Sequence, residues 1–231
     1  MDIKFPIVMY SHSSYSDVWP LILGQFIKFM PNQKIYLFTD HDPLKGDYEA
    51  VFYDDDKNYN ERMLQCLQQI KDPIILFTHE DMPLYSEPDF GRINSYYNHI
   101  EKGLADSIKL IFAGWHFKSK TSSFDTSLSK NKLSRFSIQP TIIRTEALIK
   151  ILKRYPSKNL WKLERKIEKS WIHPHKEYCC NLKGDKHGNH YDCKIYPYIA
   201  TAIVKGKWNF NQYHILKPML DEYQIKSRNY D

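Results

Sequence analysis

The run Ile74-Ile75-Leu76-Phe77, introduced by Pro73, is apolar at every position, so an extended strand there needs cover on both of its faces. Such a strand belongs in the interior of a sheet with a layer on each side. Polarity then inverts at once, in Thr78-His79-Glu80-Asp81. The same sequence of apolar run and polar exit recurs earlier in the chain. Phe5 to Tyr10 leads into Ser11-His12-Ser13-Ser14, Lys34 to Thr39 into Asp40, and Ala50 to Tyr53 into Asp54-Asp55-Asp56.

Helical periods separate these runs. Ser16-Asp17 can cap a helix reaching to about Phe29, with Pro20 in its first turn. Asn58 can cap a second, with Glu61 set for a capping box and Met63, Leu64, Leu67 and Ile70 on one face. A third helix is predicted from about Asp89 to Leu104, followed by a buried strand from Ile108 to Ala113. Alternating strands and helices predict an α/β, Rossmann-like fold with a central, mostly parallel sheet flanked by helices on both faces. In such sheets ligands bind at the carboxyl ends of the strands, where the polar exits lie.

The second half reads as a Ser/Lys-rich loop from Gly114 to Lys132, a strand from Arg135 to Ile143, and helices from Thr145 to Arg154 and from about Asn159 to Ser170. A His/Cys-rich loop, an aromatic strand-like run from Ile195 to Val204 and a helix ending near Tyr223 complete it. No repeat or linker interrupts the 231 residues, which predicts a single domain over 1–231.

Neither Gly-x-Gly-x-x-Gly nor a Walker loop is present, which disfavours dinucleotide and P-loop sites. A methyltransferase would want a glycine-rich loop where Ser11-His12-Ser13-Ser14 stands. No apolar run approaches the ~18 residues of a membrane span, and the N-terminus lacks the pattern of a signal peptide. Four cysteines, two of them adjacent, do not make a secreted disulfide framework, so a cytoplasmic location is expected. The net charge of +6 favours an anionic partner without choosing among nucleotide phosphates, nucleic acid and anionic membrane. A nucleic-acid-binding module is the rival reading; its lysines are scattered and no binding motif is present.

The acidic pair Glu80-Asp81 carries the chemistry. Two adjacent carboxylates at a strand end can hold Mg²⁺ or Mn²⁺ through oxygen ligands while leaving positions for substrate phosphates. A bare acidic pair also reads as the start of a surface loop. Donor-binding candidates sit at the other strand exits: Ser11, His12 and Tyr15 at the first, Asp40 at the second, Asp54 at the third. Asp40 or Asp54 can accept from a nucleobase or ribose, and Tyr15 or Tyr59 can stack on the base. Arg62 lies near the start of its helix, where cation and amides meet a diphosphate, or is simply an exposed helix arginine. Gln139, before Pro140, can bond a sugar hydroxyl or be a buried amide satisfied by backbone. Trp115 and His116, at a strand exit, can line the acceptor side or merely pack. The Cys179-Cys180, His187, His190, Cys193 segment fits no common zinc module.

The stretch Ile74-Ile75-Leu76-Phe77-Thr78-His79-Glu80-Asp81-Met82-Pro83-Leu84 resembles the metal-motif strand of small GT-A glycosyltransferases of bacteria and large DNA viruses. Ser137 to Arg144, Asn159 to Glu164 and Ile203 to Trp208 resemble that family in order and spacing, so the likeness spans most of residues 5 to 210. Glu80-Asp81, preceded by His79, departs from a strict Asp-x-Asp. The resemblance implies a GT-A fold, a nucleoside-diphosphate-sugar donor, a glycan or glycoprotein acceptor, Mn²⁺ or Mg²⁺ held by Asp81 with Glu80 and His79, and no nucleic acid. It further implies Glu164 as catalytic base in an inverting transfer, its carboxylate desolvated beside Trp161. Read from the residues alone, Glu164 can equally pair with Lys158, Lys162 or Lys166 on a helix surface. The resemblance also allows His187 or His190 to approach the metal.

Overall fold

The computed structural model describes residues 3–112, 120–130, 137–170, 175–187 and 190–226. Strands β1 (Ile7–Tyr10), β2 (Ile35–Thr39), β3 (Glu49–Phe52) and β4 (Ile74–His79) alternate with helices α1 (Trp19–Phe29) and α2 (Tyr59–Leu67). Helix α3 (Phe90–Glu101) leads to β5 (Ser107–Phe112), then β6 (Lys120–Thr121), β7 (Leu128–Lys130) and β8 (Thr141–Arg144). Helices α4 (Thr145–Arg154) and α5 (Leu160–Glu168) precede β9 (Glu177–Cys180), β10 (Lys183–His187) and β11 (His190–Cys193). The short pair β12 (Ile203–Val204) and β13 (Lys207–Trp208) and helix α6 (Leu216–Glu222) follow.

Nine strands form one sheet in the order β3-β2-β1-β4-β8-β5-β9-β7-β6. β3, β2, β1 and β4 are mutually parallel; β8 runs against both of its neighbours, β4 and β5, and β9 is parallel to β5. Only β8 and β7 oppose the common direction, so the expected mostly parallel α/β sheet is the one found.

Helices cover both faces. The β3-to-β4 crossover runs opposite in sense to the β1-to-β2 crossover, so right-handed connections put α2 and α1 on opposite faces. Helix α4 joins α2, where the buried Asn60 amide donates to Leu152 O (2.7 Å) and Tyr155 O (3.1 Å). On the other face Tyr96 of α3 meets Ser127 (2.9 Å), and His99 of α3 stacks edge-on against Phe124, which in turn meets Tyr178 of β9. Helix α6 docks on α1 at Gly24, where any Cβ would fall 2.1 Å from the Tyr223 ring.

Several boundaries differ from expectation. The Ser11–Ser16 region makes a one-turn 3₁₀ helix, Ser13–Tyr15, so α1 starts at Trp19 with Pro20 in its opening turn. Part of the expected Ser/Lys-rich loop is the hairpin β6–β7, which extends the sheet. The expected strand Arg135–Ile143 is regular only from Thr141 among the described residues, and the His/Cys-rich loop holds β9, β10 and β11. The Ile195–Val204 run is not a strand except at Ile203–Val204, because its amides and carbonyls bond to residues 81–89 instead.

Candidate active site

Register brings the polar exits level with one another. Tyr10 pairs with Phe38 on one side and His79 on the other, and Thr39 with Phe52, so residues 11–13, 40, 53–55 and 80–81 share one rim of the sheet.

At the first exit, both oxygens of Asp40 hold Ser13: its amide at 2.7 Å and its hydroxyl at 2.6 Å. Burial alone would raise the Asp40 carboxyl, but these two donors and the nearby His12 hold it below the ordinary range. His12 caps the 3₁₀ turn by accepting from Ser14 N at Nδ1 (3.0 Å), which leaves the proton on Nε2. Nε2 lies 3.3 Å from Asp55 and 3.8 Å from Asp40. Ser11 is buried and internally engaged, taking a hydrogen bond from the Trp19 indole (2.7 Å) on its hydroxyl and from Tyr53 (2.8 Å) on its carbonyl. It is part of the scaffold beneath the rim. Tyr15 is half-buried against the second apolar cluster, formed by α1, α6 and the C-terminal strands.

Arg62 sits in the first turn of α2 and pins the acidic loop. Its guanidinium meets the Asp55 carboxylate at 2.7 Å, donates to Lys57 O (2.8 Å) and to Asp55 O, and lies over the Tyr53 ring. The helix itself begins with the expected capping box of Asn58 and Glu61. Asp54 is an exposed turn residue that accepts from Asp56 N (3.0 Å) and lies 3.6 Å from Lys57.

Below this rim is an aromatic floor. Tyr10 stacks on Tyr53, meets Tyr59 edge-on and packs against His79. Tyr59, 8% exposed, is therefore under the rim with its faces covered, so it supports the rim and offers no face to a base. The Tyr59 hydroxyl is 3.4 Å from His79 Nε2, and burial pushes the His79 pKa down to about 3, so the ring is neutral. Strand alternation turns His79 toward α2. Consequently the ligand atoms of His79, Glu80 and Asp81 do not gather within 4.8 Å of one another, and the expected metal trio is not assembled. Among the described residues, only His12, Asp40 and Asp55 bring three such atoms within 4.8 Å of one another.

Residues 81–89 are clamped by the C-terminal segment. Ala202 N donates to Asp81 O (2.8 Å), Ile199 N to Pro83 O (2.9 Å), Tyr85 N to Pro197 O (3.0 Å) and Asp89 N to Ile195 O (2.9 Å). Burial raises the Asp81 carboxyl to about 7, opposed only by its own backbone amide. A half-buried, desolvated carboxylate in this state suits a bound cation, which would compensate its negative charge. The chemistry of a hard divalent metal therefore fits Asp81 and Glu80, with no third protein ligand from His79.

Glu164 reaches the same end of the sheet from α5. Its carboxylate accepts from Ile138 N at 2.7 Å, just ahead of β8, whose Thr141 pairs with Phe77 of β4. Burial raises its pKa, against the Ile138 amide. The desolvation does not come from Trp161, which is 72% exposed; it comes from the inward turn of the carboxylate toward the sheet. Both Glu80 and Glu164 act electrostatically on the Tyr59 phenol, raising it further above the level set by burial. Both carboxylates thus act on the same buried phenol. Gln139 accepts from the Tyr198 hydroxyl at 2.5 Å. Trp115 and His116 fall outside the described residues.

Sequence reasoning passed over Lys109 and Glu177. Lys109 Nζ lies 2.7 Å from Glu177 Oε1, with both side chains almost wholly buried beneath α4. The signal was present: Lys109 is a lone charge in an apolar strand, Ile108 to Phe112. Cys179 and Cys180 alternate to opposite faces, and among the described residues no cysteine joins a metal-holding group.

No family model matches the chain, and no curated protein does. Solved structures do. Residues 1–349 of Staphylococcus aureus TarS match at a TM-score of 0.50 and 11% identity, over 99% of this chain and 67% of that one. TarS is also known in complex with UDP-GlcNAc, which aligns at 0.49 and 12% over 99% and 68%. The 2-C-methyl-D-erythritol 4-phosphate cytidylyltransferase of Thermus thermophilus matches at 0.47 and 9%, over 83% of this chain and 92% of that one. The chain spans about half, 48%, of the bifunctional IspDF of Campylobacter jejuni, at 0.44 and 13% over 76% of itself. The chain has a Rossmann-like, GT-A-like α/β fold. At these identities the likeness is one of fold.

Proposed function

We propose that this protein is a glycosyltransferase that moves a sugar from a nucleoside-diphosphate sugar, such as a UDP-sugar, to a hydroxyl of a glycan or glycoprotein acceptor. One observation carries the reading: the half-buried Asp81, at the carboxyl end of β4, and the inward-turned Glu164, held at Ile138 just ahead of β8, come to the same end of the sheet, where Glu80 and Glu164 both act on the Tyr59 phenol. Two carboxylates in different surroundings suit two roles.

Asp81, with Glu80, would hold Mn²⁺ or Mg²⁺. The metal supplies neutralisation of the diphosphate as the sugar departs. Glu164, its pKa raised by burial, takes the proton from the acceptor hydroxyl. A single base opposite the leaving group gives inversion. His12 Nε2, Asp40 and the Asp55–Arg62 pair form the polar wall at which the nucleoside and phosphates are recognised. The fold shared with TarS, itself solved with UDP-GlcNAc, supports the donor class.

A thermal-shift screen tests this. Nucleoside diphosphates and nucleotide-sugars, with and without Mn²⁺, should raise the melting temperature together, as ligands of the folded state do. Stabilisation by oligonucleotides alone would replace the transferase with the nucleic-acid-binding reading. A donor-hydrolysis screen over several nucleotide-sugars then names the sugar.

A further inference from the structure

Residues 145–169, which make α4 and α5, hold eight lysines and arginines against three glutamates, a net of +5 in a chain whose total is +6. Almost all of the excess charge of the protein is thus gathered in one helical pair. On α5 the cations are ordered. Lys162, Arg165 and Lys169 stand at i, i+3 and i+7, one stripe of a helix, with Lys158 just ahead of its Asn159 cap. All four are exposed, and among the described residues no carboxylate lies within the 4.0 Å of an ion pair from any of them. The neighbouring Lys166 is tied to Pro156 O, and Lys150 to Glu146 at 2.6 Å.

Trp161 borders this stripe, about 40° around the helix from Arg165 at 100° per residue. At 72% exposure it is the most exposed large apolar side chain among the described residues. The opposite side of α5 is occupied: Leu163 and Ile167 are in the core, and Glu164 turns inward to Ile138. The indole and four exposed cations with no carboxylate partner among the described residues form one apolar and positive patch. The same combination is suited to the headgroup region of an anionic bilayer, where indole rings settle and cations gain electrostatic attraction.

We propose that α5 docks the protein on anionic lipid surfaces, with Trp161 entering the interface and Lys158, Lys162, Arg165 and Lys169 meeting lipid phosphates. The docking is peripheral: among the described residues no helix is long and apolar enough to cross a membrane. The one exposed acid on this side, Glu168, stands at the edge of the stripe beyond Trp161. The stripe lies on a different side of α5 from the inward Glu164.

Co-sedimentation of the full chain with phosphatidylcholine vesicles, with and without phosphatidylglycerol, tests the proposal. Binding is expected only to the phosphatidylglycerol vesicles and should weaken as salt rises. Arg165→Glu with Lys169→Glu should lower the bound fraction at least about tenfold, since each cation near such a surface contributes roughly fivefold. Trp161→Ala should weaken binding severalfold with an unchanged circular dichroism spectrum. Three results would overturn the idea: equal binding to neutral vesicles, no binding to either, or undiminished binding by the charge-reversed variant. Competition by soluble polyphosphate that removes the protein from vesicles, with Trp161→Ala unaffected, would instead make the stripe a general polyanion site and also sink it.

Discussion

The Glu164 carboxylate accepts a hydrogen bond from the Ile138 amide at 2.7 Å, which ties the middle of helix α5 to the turn that feeds strand β8. A glutamine keeps an oxygen for that amide and loses only the ability to take a proton. Glu164→Gln is therefore expected to fold with a melting temperature close to wild type, to bind donor normally and to lose about 10²- to 10⁴-fold in turnover. Single-turnover transfer assays beside donor titrations check it; near-normal transfer would remove Glu164 from the role of base.

Asp81 gives a pH prediction with a definite sign. Its folded pKa, about 7, lies above the ordinary value of 3.8, so the metal-free fold is favoured at low pH and loses stability as pH rises through that interval. Metal needs the ionised form, so Mn²⁺ affinity should drop about tenfold per pH unit below about 7 and level off above it. Asp81→Asn should abolish Mn²⁺-dependent stabilisation while making the metal-free protein more stable than wild type in mildly alkaline buffer. Melting curves across pH, with and without Mn²⁺, measure both effects.

His79 works in the opposite direction. Held neutral, with a pKa near 3 against an ordinary 6.5, it contributes stability that is complete above about 6.5 and is lost as pH falls toward 3. His79→Phe should flatten the acid limb of the stability profile. Urea denaturation at neutral and at acidic pH would show it, and an unchanged slope would mean the imidazole is charged in the fold.

Removing one member of the Lys109–Glu177 pair leaves a buried charge without its partner. Lys109→Met is expected to cost about 3–5 kcal/mol, and adding Glu177→Leu should recover most of that, because an apolar pair suits the same space. Equilibrium denaturation of the two variants decides it; additive losses would mean the ion pair is not the interaction that matters.

The layout of the first half was legible because strand and helix periods change cleanly there. Ile74–Phe77 announced a central strand, and the Asn58–Glu61 box announced where α2 begins. The Ile195–Val204 run misled, since its aromatic, apolar character reflects burial against residues 81–89 and not a place in the sheet. At the site, the strand exits located the rim, but the periods could not separate rim from floor. Tyr59 and His79 read as candidate contacts in a linear sequence; only the stacking of Tyr10 on its neighbours shows them buried below it. The Asp40–Ser13 pairing depends on bringing two separate strand exits together, which no local pattern encodes, whereas Arg62 and Asp55 pair within the one connection from β3 to α2.

Strand β8 stands between β4 and β5, although it is made after both. During synthesis the outer edge of β4 therefore has no partner until the segment around residue 141 emerges, and β5 has nowhere to join the sheet. The nascent chain carries an open, strongly apolar edge through that whole interval, the state in which strands pair with the wrong neighbour. Chains cut between β5 and β8 should accumulate as aggregates, whereas cuts beyond α4 should leave the four parallel strands capped and far more tractable.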